Sequence, residues 1–112
     1  VMASDRLDER LSDMTTSWHP PVLRAIQIAA SAAVKLGKSI GVCGEAAADP
    51  QLAAVLVGLG VNSLSMAPAA LSEVRGFLST VDAPTCKEAA MRAVGAKSAE
   101  EAKEVAEAVL GN

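Results

Sequence analysis

The spacing of apolar positions along the chain predicts helices that are separated by two short strands. Over residues 22–36 the apolar side chains recur with a period of 3.6, which predicts an amphipathic helix that follows the Pro20-Pro21 pair and ends before Gly37. The same spacing over residues 4–14 predicts a short amphipathic helix or an ordered loop.

Two short apolar runs bounded by glycine, residues 39–44 and 61–66, predict buried strands. Between them, residues 51–59 are apolar on nearly every side of a helix, so we expect this helix to be buried. Asp49 is its expected N-cap, and Pro50 then stands at the first helical position.

Three further helices are predicted in the second half of the chain. Pro68 opens one that runs to about Leu78. Capping-box spacing at 85–88 and at 98–101 predicts the starts of two more. The last helix has one apolar face and one charged face, which is typical of a surface helix.

The alternation of helices and strands indicates an α/β fold, because parallel strands need a crossover between them. Two parallel strands alone do not make a stable sheet. We therefore expect the remaining strands to come from residues upstream or from a second copy of the chain. The apolar content of 51% is supplied mostly by Ala and Val, with 2% aromatic residues, and such small side chains also favour a piece of a larger domain. Val1 in place of an initiator methionine agrees with that expectation.

Composition excludes several classes of function. The net charge is -3 and the Lys and Arg residues are not clustered, so no nucleic-acid partner is expected. No apolar run reaches the roughly 18–20 residues of a membrane span, and no secretory signal opens the chain, so we expect a cytoplasmic protein without membrane insertion. The two cysteines and the single histidine lack the spacing of a zinc site, so no metal ligand is assigned.

Cys43 is the candidate catalytic residue, because it stands at the C-terminal end of a predicted strand. Active sites of α/β folds gather at that end of the sheet. Gly41 and Gly44 flank it closely and would let a ligand approach, and Glu45 follows. Taken alone, this pattern is more typical of a buried cysteine that acts as a small apolar residue.

The longer sequence string resembles the C-terminal end of the enzyme I family of the bacterial sugar phosphotransferase system. The family shows a G-x-C-G-E strand end, an acidic residue soon after it, a Leu-rich helix and a strand that ends in S-M. These features are similar to residues 41–50 and 56–66 of this chain. Residues 3–6 fit the family element A-x-D-R, and residues 19–23 fit H-P-x-V-L. The resemblance covers almost the whole chain.

The resemblance implies that residues 1–112 form the C-terminal portion of a (β/α)8 TIM barrel that binds phosphoenolpyruvate (PEP). It implies an enzyme that transfers the phosphoryl group of PEP to a histidine of its N-terminal domain and then to a histidine-containing phosphocarrier protein, for sugar uptake. A homodimer and magnesium, with metal ligands upstream of this chain, are implied as well.

The same resemblance assigns roles to two residues. Cys43 matches the cysteine that protonates the enolate left by phosphoryl transfer and so yields pyruvate. Arg6 matches a substrate-binding arginine, whose guanidinium suits phosphate or carboxylate oxygens. His19 is expected to have a capping or packing role and Cys86 to be inert. The isolated chain should be inactive, since most substrate and metal ligands would lie upstream.

Two alternatives remain at this point. Pyruvate phosphate dikinase and phosphoenolpyruvate synthase share the cysteine-bearing strand, although the Ala-rich stretch after Glu45 is more similar to enzyme I. An alternative of another class is a non-enzymatic helical interaction module in which Cys43 belongs to the core.

Overall fold

The computed structural model describes residues 18–43 and 49–111, and these form a helix-rich α/β arrangement. The order of elements is helix, strand, helix, strand and then three helices, which confirms the predicted order. The elements are α1 (Pro20–Lys35), β1 (Gly41–Cys43), α2 (Pro50–Leu59), β2 (Ser63–Ser65), α3 (Pro68–Leu78), α4 (Ala83–Val94) and α5 (Ala99–Leu110). The predicted helix or loop at 4–14 lies outside the described residues.

The two strands pair in parallel, as predicted, with Gly41 opposite Ser63 and Cys43 opposite Ser65. They are shorter than the apolar runs 39–44 and 61–66 that predicted them, since each contributes three residues. Helix α2 forms the crossover between them. The carboxyl ends of both strands therefore lie at the same edge of this small sheet.

Helix α1 begins two residues earlier than its apolar period indicated, because Pro20 and Pro21 form its first turn. Its C-terminal end is closed as predicted by Gly37, which has a left-handed φ of 68°. The N–H of Gly37 donates to the carbonyl of Val34 (3.1 Å), and the N–H of Lys38 donates to that of Ala33 (2.8 Å). These are the two bonds of a Schellman motif.

Helix α2 is the centre of the described fold. It contacts α1, α3, α4 and α5, which explains why its sequence is apolar nearly all round. All of its residues from Gln51 to Leu56, and Leu59, are buried. This confirms the burial that the sequence predicted.

Helices α2 and α4 cross at very short distance where Gly58 lies on α2. A β-carbon at Gly58 would lie 2.6 Å from the carbonyl carbon of Cys86 and 2.9 Å from the β-carbon of Ala90. The absence of a side chain at this residue thus allows the two helix backbones to approach each other.

The predicted start of α4 at Thr85 is wrong. The helix begins at Ala83, and its N-cap is Asp82, whose Oδ1 accepts a hydrogen bond from the N–H of Thr85 at 2.9 Å. Hydrogen bonds from the side chain and backbone of Thr85 also lower the pKa of Asp82. Pro84 fits the first turn, where no N–H is required, so the aspartate takes precedence over the later threonine.

The predicted start of α5 at Ser98 is confirmed. Ser98 Oγ accepts a hydrogen bond from the N–H of Glu101 at 3.1 Å. The Glu101 carboxylate in turn accepts one from the N–H of Lys97 at 3.0 Å, one residue before the cap. The apolar face of the helix is buried through Ala102, Ala106 and Leu110, so α5 is the surface helix that its pattern indicated.

Among the described residues, none of the helices combines the length and apolar character that a membrane crossing would need.

Candidate functional site

Cys43 is the last residue of β1, where the sequence placed it. Its backbone lies opposite Ser65, the last residue of β2, so the two strand ends are level. Arg6 and Glu45 lie outside the described residues, so the predicted pairing of Arg6 with Cys43 at one site stays a prediction.

The start of β1 is fixed by Asn62, a residue to which the sequence analysis gave no role. The side-chain Oδ1 of Asn62 accepts a hydrogen bond from the N–H of Ile40 at 2.8 Å, and the N–H of Asn62 donates to the carbonyl of Ile40 at 3.1 Å. The same amide residue therefore satisfies both backbone groups of Ile40. This clamp precedes the first paired residue and holds the register that places Cys43 opposite Ser65.

Gly41 brings the two strands into close contact on one face. A β-carbon at Gly41 would lie 3.3 Å from the β-carbon of Ser63, which is its partner across the sheet. A larger residue would press against Ser63 and disturb the pairing two residues before Cys43. The glycine before the cysteine is therefore explained by strand packing as well as by ligand access.

Asp49, which follows residues 44–48 in the sequence, caps the start of α2. Its Oδ1 accepts hydrogen bonds from the N–H groups of Gln51 (3.1 Å) and Leu52 (3.4 Å), which confirms the predicted N-cap. Its Oδ2 accepts a third hydrogen bond, from Nε1 of Trp18 at 3.4 Å. Trp18 is buried, with 8% of its surface exposed. One carboxylate thus joins the residue that precedes α1 by two positions to the first turn of α2.

His19 occupies the N-cap position of α1, which agrees with the expected capping role, although its side chain takes no part in the cap. Its side chain is exposed and makes no capping hydrogen bond. Only its carbonyl takes part, by accepting from the N–H groups of Val22 and Leu23. The proline pair already sets the backbone of the first turn, so a capping side chain is not required there.

Cys86 lies on α4 with 3% of its surface exposed, inside the apolar core. Burial raises the pKa of its thiol, and the nearby negative charge of Asp82 raises it further. A buried thiol with a raised pKa is a poor nucleophile, because the thiolate is the reactive form. This environment supports the expectation that Cys86 is inert.

The described ranges hold no group of three or more His, Cys, Asp or Glu side chains that could bind a metal ion. None of the described residues is therefore assigned to magnesium, and no chemical step below depends on the metal.

Comparison with known proteins gives one family match. The model of the PEP-binding domain of PEP-utilising enzymes matches residues 1–83. That range contains both Arg6 and Cys43.

Several curated proteins are similar over nearly all of the chain. A phosphoenolpyruvate-protein phosphotransferase of Streptomyces coelicolor is 50% identical over 98% of this chain and 20% of its own length. One of Haloferax volcanii is 37% identical over 94% of the chain and 19% of its own length. A Salmonella typhimurium protein named phosphoenolpyruvate-dependent phosphotransferase system is 35% identical over 92% of the chain and 14% of its own length. The chain thus spans at most about a fifth of these relatives.

Proposed function

This chain belongs to the family of PEP-utilising enzymes, within their PEP-binding domain, and on that premise we propose that it is part of a phosphoenolpyruvate-protein phosphotransferase. The observation that carries the proposal is the position of Cys43 at the end of a parallel strand, in a chain 50% identical to an enzyme of that name. The parent enzyme would transfer the phosphoryl group of PEP to one of its own histidines and then to a histidine-containing phosphocarrier protein.

Cys43 is the proposed proton donor. When the phosphoryl group leaves PEP, the remaining three-carbon unit is an enolate, whose terminal carbon must gain a proton to become the methyl group of pyruvate. A thiol of ordinary pKa, about 8.5, is protonated at neutral pH and can supply that proton. The S–H bond breaks, a C–H bond forms, and the resulting thiolate regains a proton from water. Ligands of parallel α/β folds bind at the carboxyl ends of the strands, and Cys43 is the last residue of β1.

Arg6 is proposed to bind the phosphate or carboxylate group of the substrate. Its guanidinium offers several N–H donors in a fixed plane, which suits the oxygens of either group and the charge that moves between them during transfer. The proposal for Arg6 is supported by the family match, which includes its position.

The fold that suits these roles is the C-terminal portion of a (β/α)8 barrel. Parallel strands joined by a helical crossover, as in β1, α2 and β2, are the repeating unit of such a barrel. We propose that residues 1–112 supply its last part, and that magnesium ligands lie in other parts of the parent enzyme. A homodimer and a cytoplasmic location complete the proposal.

The test of this function follows the phosphoryl group. The full-length gene product that carries these residues is incubated with PEP labelled at phosphorus, magnesium and a histidine-containing phosphocarrier protein. We expect label to appear first on the enzyme and then on the carrier, without any nucleotide. Labelling that requires a nucleotide would instead identify a pyruvate phosphate dikinase or a phosphoenolpyruvate synthase. A lack of labelling and of pyruvate under both conditions would leave the non-enzymatic module.

A further inference from the structure

Helix α1 carries two apolar stripes, and the described fold buries one of them. The buried stripe faces the core and includes Leu23, Ile26, Ala30 and Ala33. A second set of apolar residues recurs at helical spacing, three or four positions apart, on another side of the same helix and ends at its C-cap. This set is called the outer stripe, and it consists of Ala25, Ile28, Ala32 and Leu36.

The outer stripe is open within the part of the chain that the structure describes. Ile28 and Leu36 expose 70% and 71% of their surfaces. Ala32 is exposed and Ala25 is half-buried. The side of a helix that faces water normally carries polar residues, so four apolar residues in helical register indicate that another element covers this side.

The helices that pack against α1 in the described ranges are α2 and α4, and both lie on other sides of it. The end of α2 lies against the buried stripe, since a β-carbon at Gly60 would be 3.1 Å from the β-carbon of Ala30. Helix α4 lies beside the polar side of α1, where the side-chain amide of Gln27 donates to the sulfur of Met91 at 3.4 Å. The outer stripe therefore has neither of these helices over it.

The neighbours of α2 show which kind of element is missing beside α1. Helix α2 packs against α1, which precedes it, and against α3, which follows it. In repeated parallel strand–helix units, each helix lies between the helices of the units before and after it. Helix α1 has the following helix, but the described ranges contain no preceding one. Strand β1 is in the same position, because β2 is its one neighbour in the described sheet.

The length of the curated relatives accounts for the missing neighbour. The chain spans at most about a fifth of their length, so most of a parent enzyme lies outside it. We infer that an amphipathic helix of the parent enzyme, from the sequence that precedes residue 1, docks on the outer stripe. Its apolar side chains would fit over the small Ala32, between Ile28 and Leu36, as ridges fit into grooves. The inference rests on the proposal that the chain is part of a longer enzyme, and it does not depend on the role of Cys43.

Two pairs of cysteine variants of the full-length gene product test the docking. Ala32→Cys places a thiol on the outer stripe, and Ser31→Cys places one beside it on the polar side of the helix. Both residues are exposed in the described fold, so they differ only if something else covers the stripe. Leu36→Cys and Lys35→Cys repeat the comparison with a second pair of exposed neighbours. A maleimide reagent is added, and peptide mass spectrometry follows the modification of each new thiol separately from the native cysteines.

We expect the thiols at positions 32 and 36 to react at least roughly tenfold more slowly than those at 31 and 35, because a covered thiol reacts only when the docked helix opens. Equal rates within both pairs would overturn the docking. If Ala32→Cys does not fold, the pair at 35 and 36 decides alone.

A second measurement identifies the segment that covers the stripe. An aliphatic diazirine amino acid replaces Ile28 in the full-length gene product, and illumination couples residue 28 to whatever lies beside it. Coupling to a segment of the same polypeptide that precedes residue 1 is the expected result. Coupling to residues 1–17, coupling between two polypeptides, or reaction with water alone would overturn the inference. The proposed function is judged separately by phosphoryl transfer in the wild type, so either conclusion can fail without the other.

Discussion

The two cysteines of the chain lie on different elements of the fold. Cys86 is enclosed by the apolar core, and its backbone lies against Gly58 of the neighbouring helix. Its thiol therefore stays protonated and inaccessible. Cys43 is the last residue of strand β1. Position in the fold, rather than residue type, separates the proposed proton donor from the inert thiol.

The raised pKa of Cys86 predicts a loss of stability in alkali. Its folded pKa lies above the ordinary thiol value, so the stabilisation is complete below that ordinary value and is lost as the pH rises through the folded pKa. The unfolded chain releases the thiol proton first, and this favours unfolding. Urea unfolding of the chain and of Cys86→Ala near neutral pH and at about pH 10 measures the effect. The variant should lose less stability than the wild type, and an equal loss would refute the role of Cys86.

For single residues, the sequence predicts the structural roles that depend on neighbours close along the chain. The sequence predicts Asp49 as an N-cap because the pattern of cap, proline and apolar run is local. Its bond to Trp18 joins residues 31 positions apart, and no local pattern contains that information. The same applies to Asn62, whose partner Ile40 is 22 positions away. The spacing of Thr85 to Glu88 resembles a capping box and predicts the wrong cap, because Asp82 directly precedes the helix and caps it instead.

At the level of helices and strands, the order and type of every described element followed from the sequence. Helix α2 is apolar on nearly every side, which predicts that it is buried, and the structure places it in contact with four other helices. The sequence did not show which helix approaches it most closely. That depends on the contact of Gly58 with Cys86 and Ala90, which only the packed structure reveals.

The crossing of α2 and α4 makes Gly58→Ala a destabilising change. In an open helix the change from Gly to Ala stabilises by up to about 1 kcal/mol. Here the added methyl group overlaps with the Cys86 carbonyl, so we expect a net loss of roughly 1–3 kcal/mol. Gly76→Ala on α3 is the matched control, because no atom lies within 4 Å of the new β-carbon, and it should stabilise the chain. Urea unfolding compares the two, and a Gly58→Ala chain as stable as Gly76→Ala would contradict this packing.

The cap of α5 gives a second test of element stability. Ser98→Ala removes the acceptor for the Glu101 N–H and should lower the free energy of unfolding by about 1 kcal/mol. Ser98→Asp retains an acceptor and places a negative charge at the helix start, so its stability should stay near the wild-type value. Thermal unfolding followed by circular dichroism measures both variants. Equal melting temperatures for all three chains would show that the cap contributes nothing.

For the whole molecule, the family match supplies what the residues alone did not. Parallel strands and a crossover helix can be predicted from the pattern of apolar residues, whereas the rest of the proposed barrel cannot, because a chain of this length does not supply eight strands. The same distinction between what the residue pattern predicts and what the family match supplies applies to the candidate site. The position of Cys43 follows from the strand pattern, but its role and that of Arg6 rest on the resemblance to PEP-utilising enzymes.

The isolated chain should self-associate. Within the described ranges the sheet has two strands, so both of its outer edges carry backbone groups that could pair with another strand. We expect light scattering to show a mass well above 11.4 kDa at high protein concentration. A monodisperse monomer would contradict the expectation that the unpaired strand edges associate.

The isolated chain should also form no pyruvate from PEP and magnesium. Pyruvate formation would show that the site is complete without further residues.

The central claim is that the Cys43 thiol protonates the enolate, and one measurement tests it most directly. Pyruvate formation from PEP is followed in the full-length gene product, with a phosphocarrier protein as acceptor, for the wild type and for Cys43→Ala, with Cys86→Ala as the control thiol. The account predicts that Cys43→Ala loses at least about 99% of the rate, in line with the contribution of a positioned general acid, and that Cys86→Ala keeps its activity. Wild-type rates of pyruvate formation in Cys43→Ala would contradict the claim.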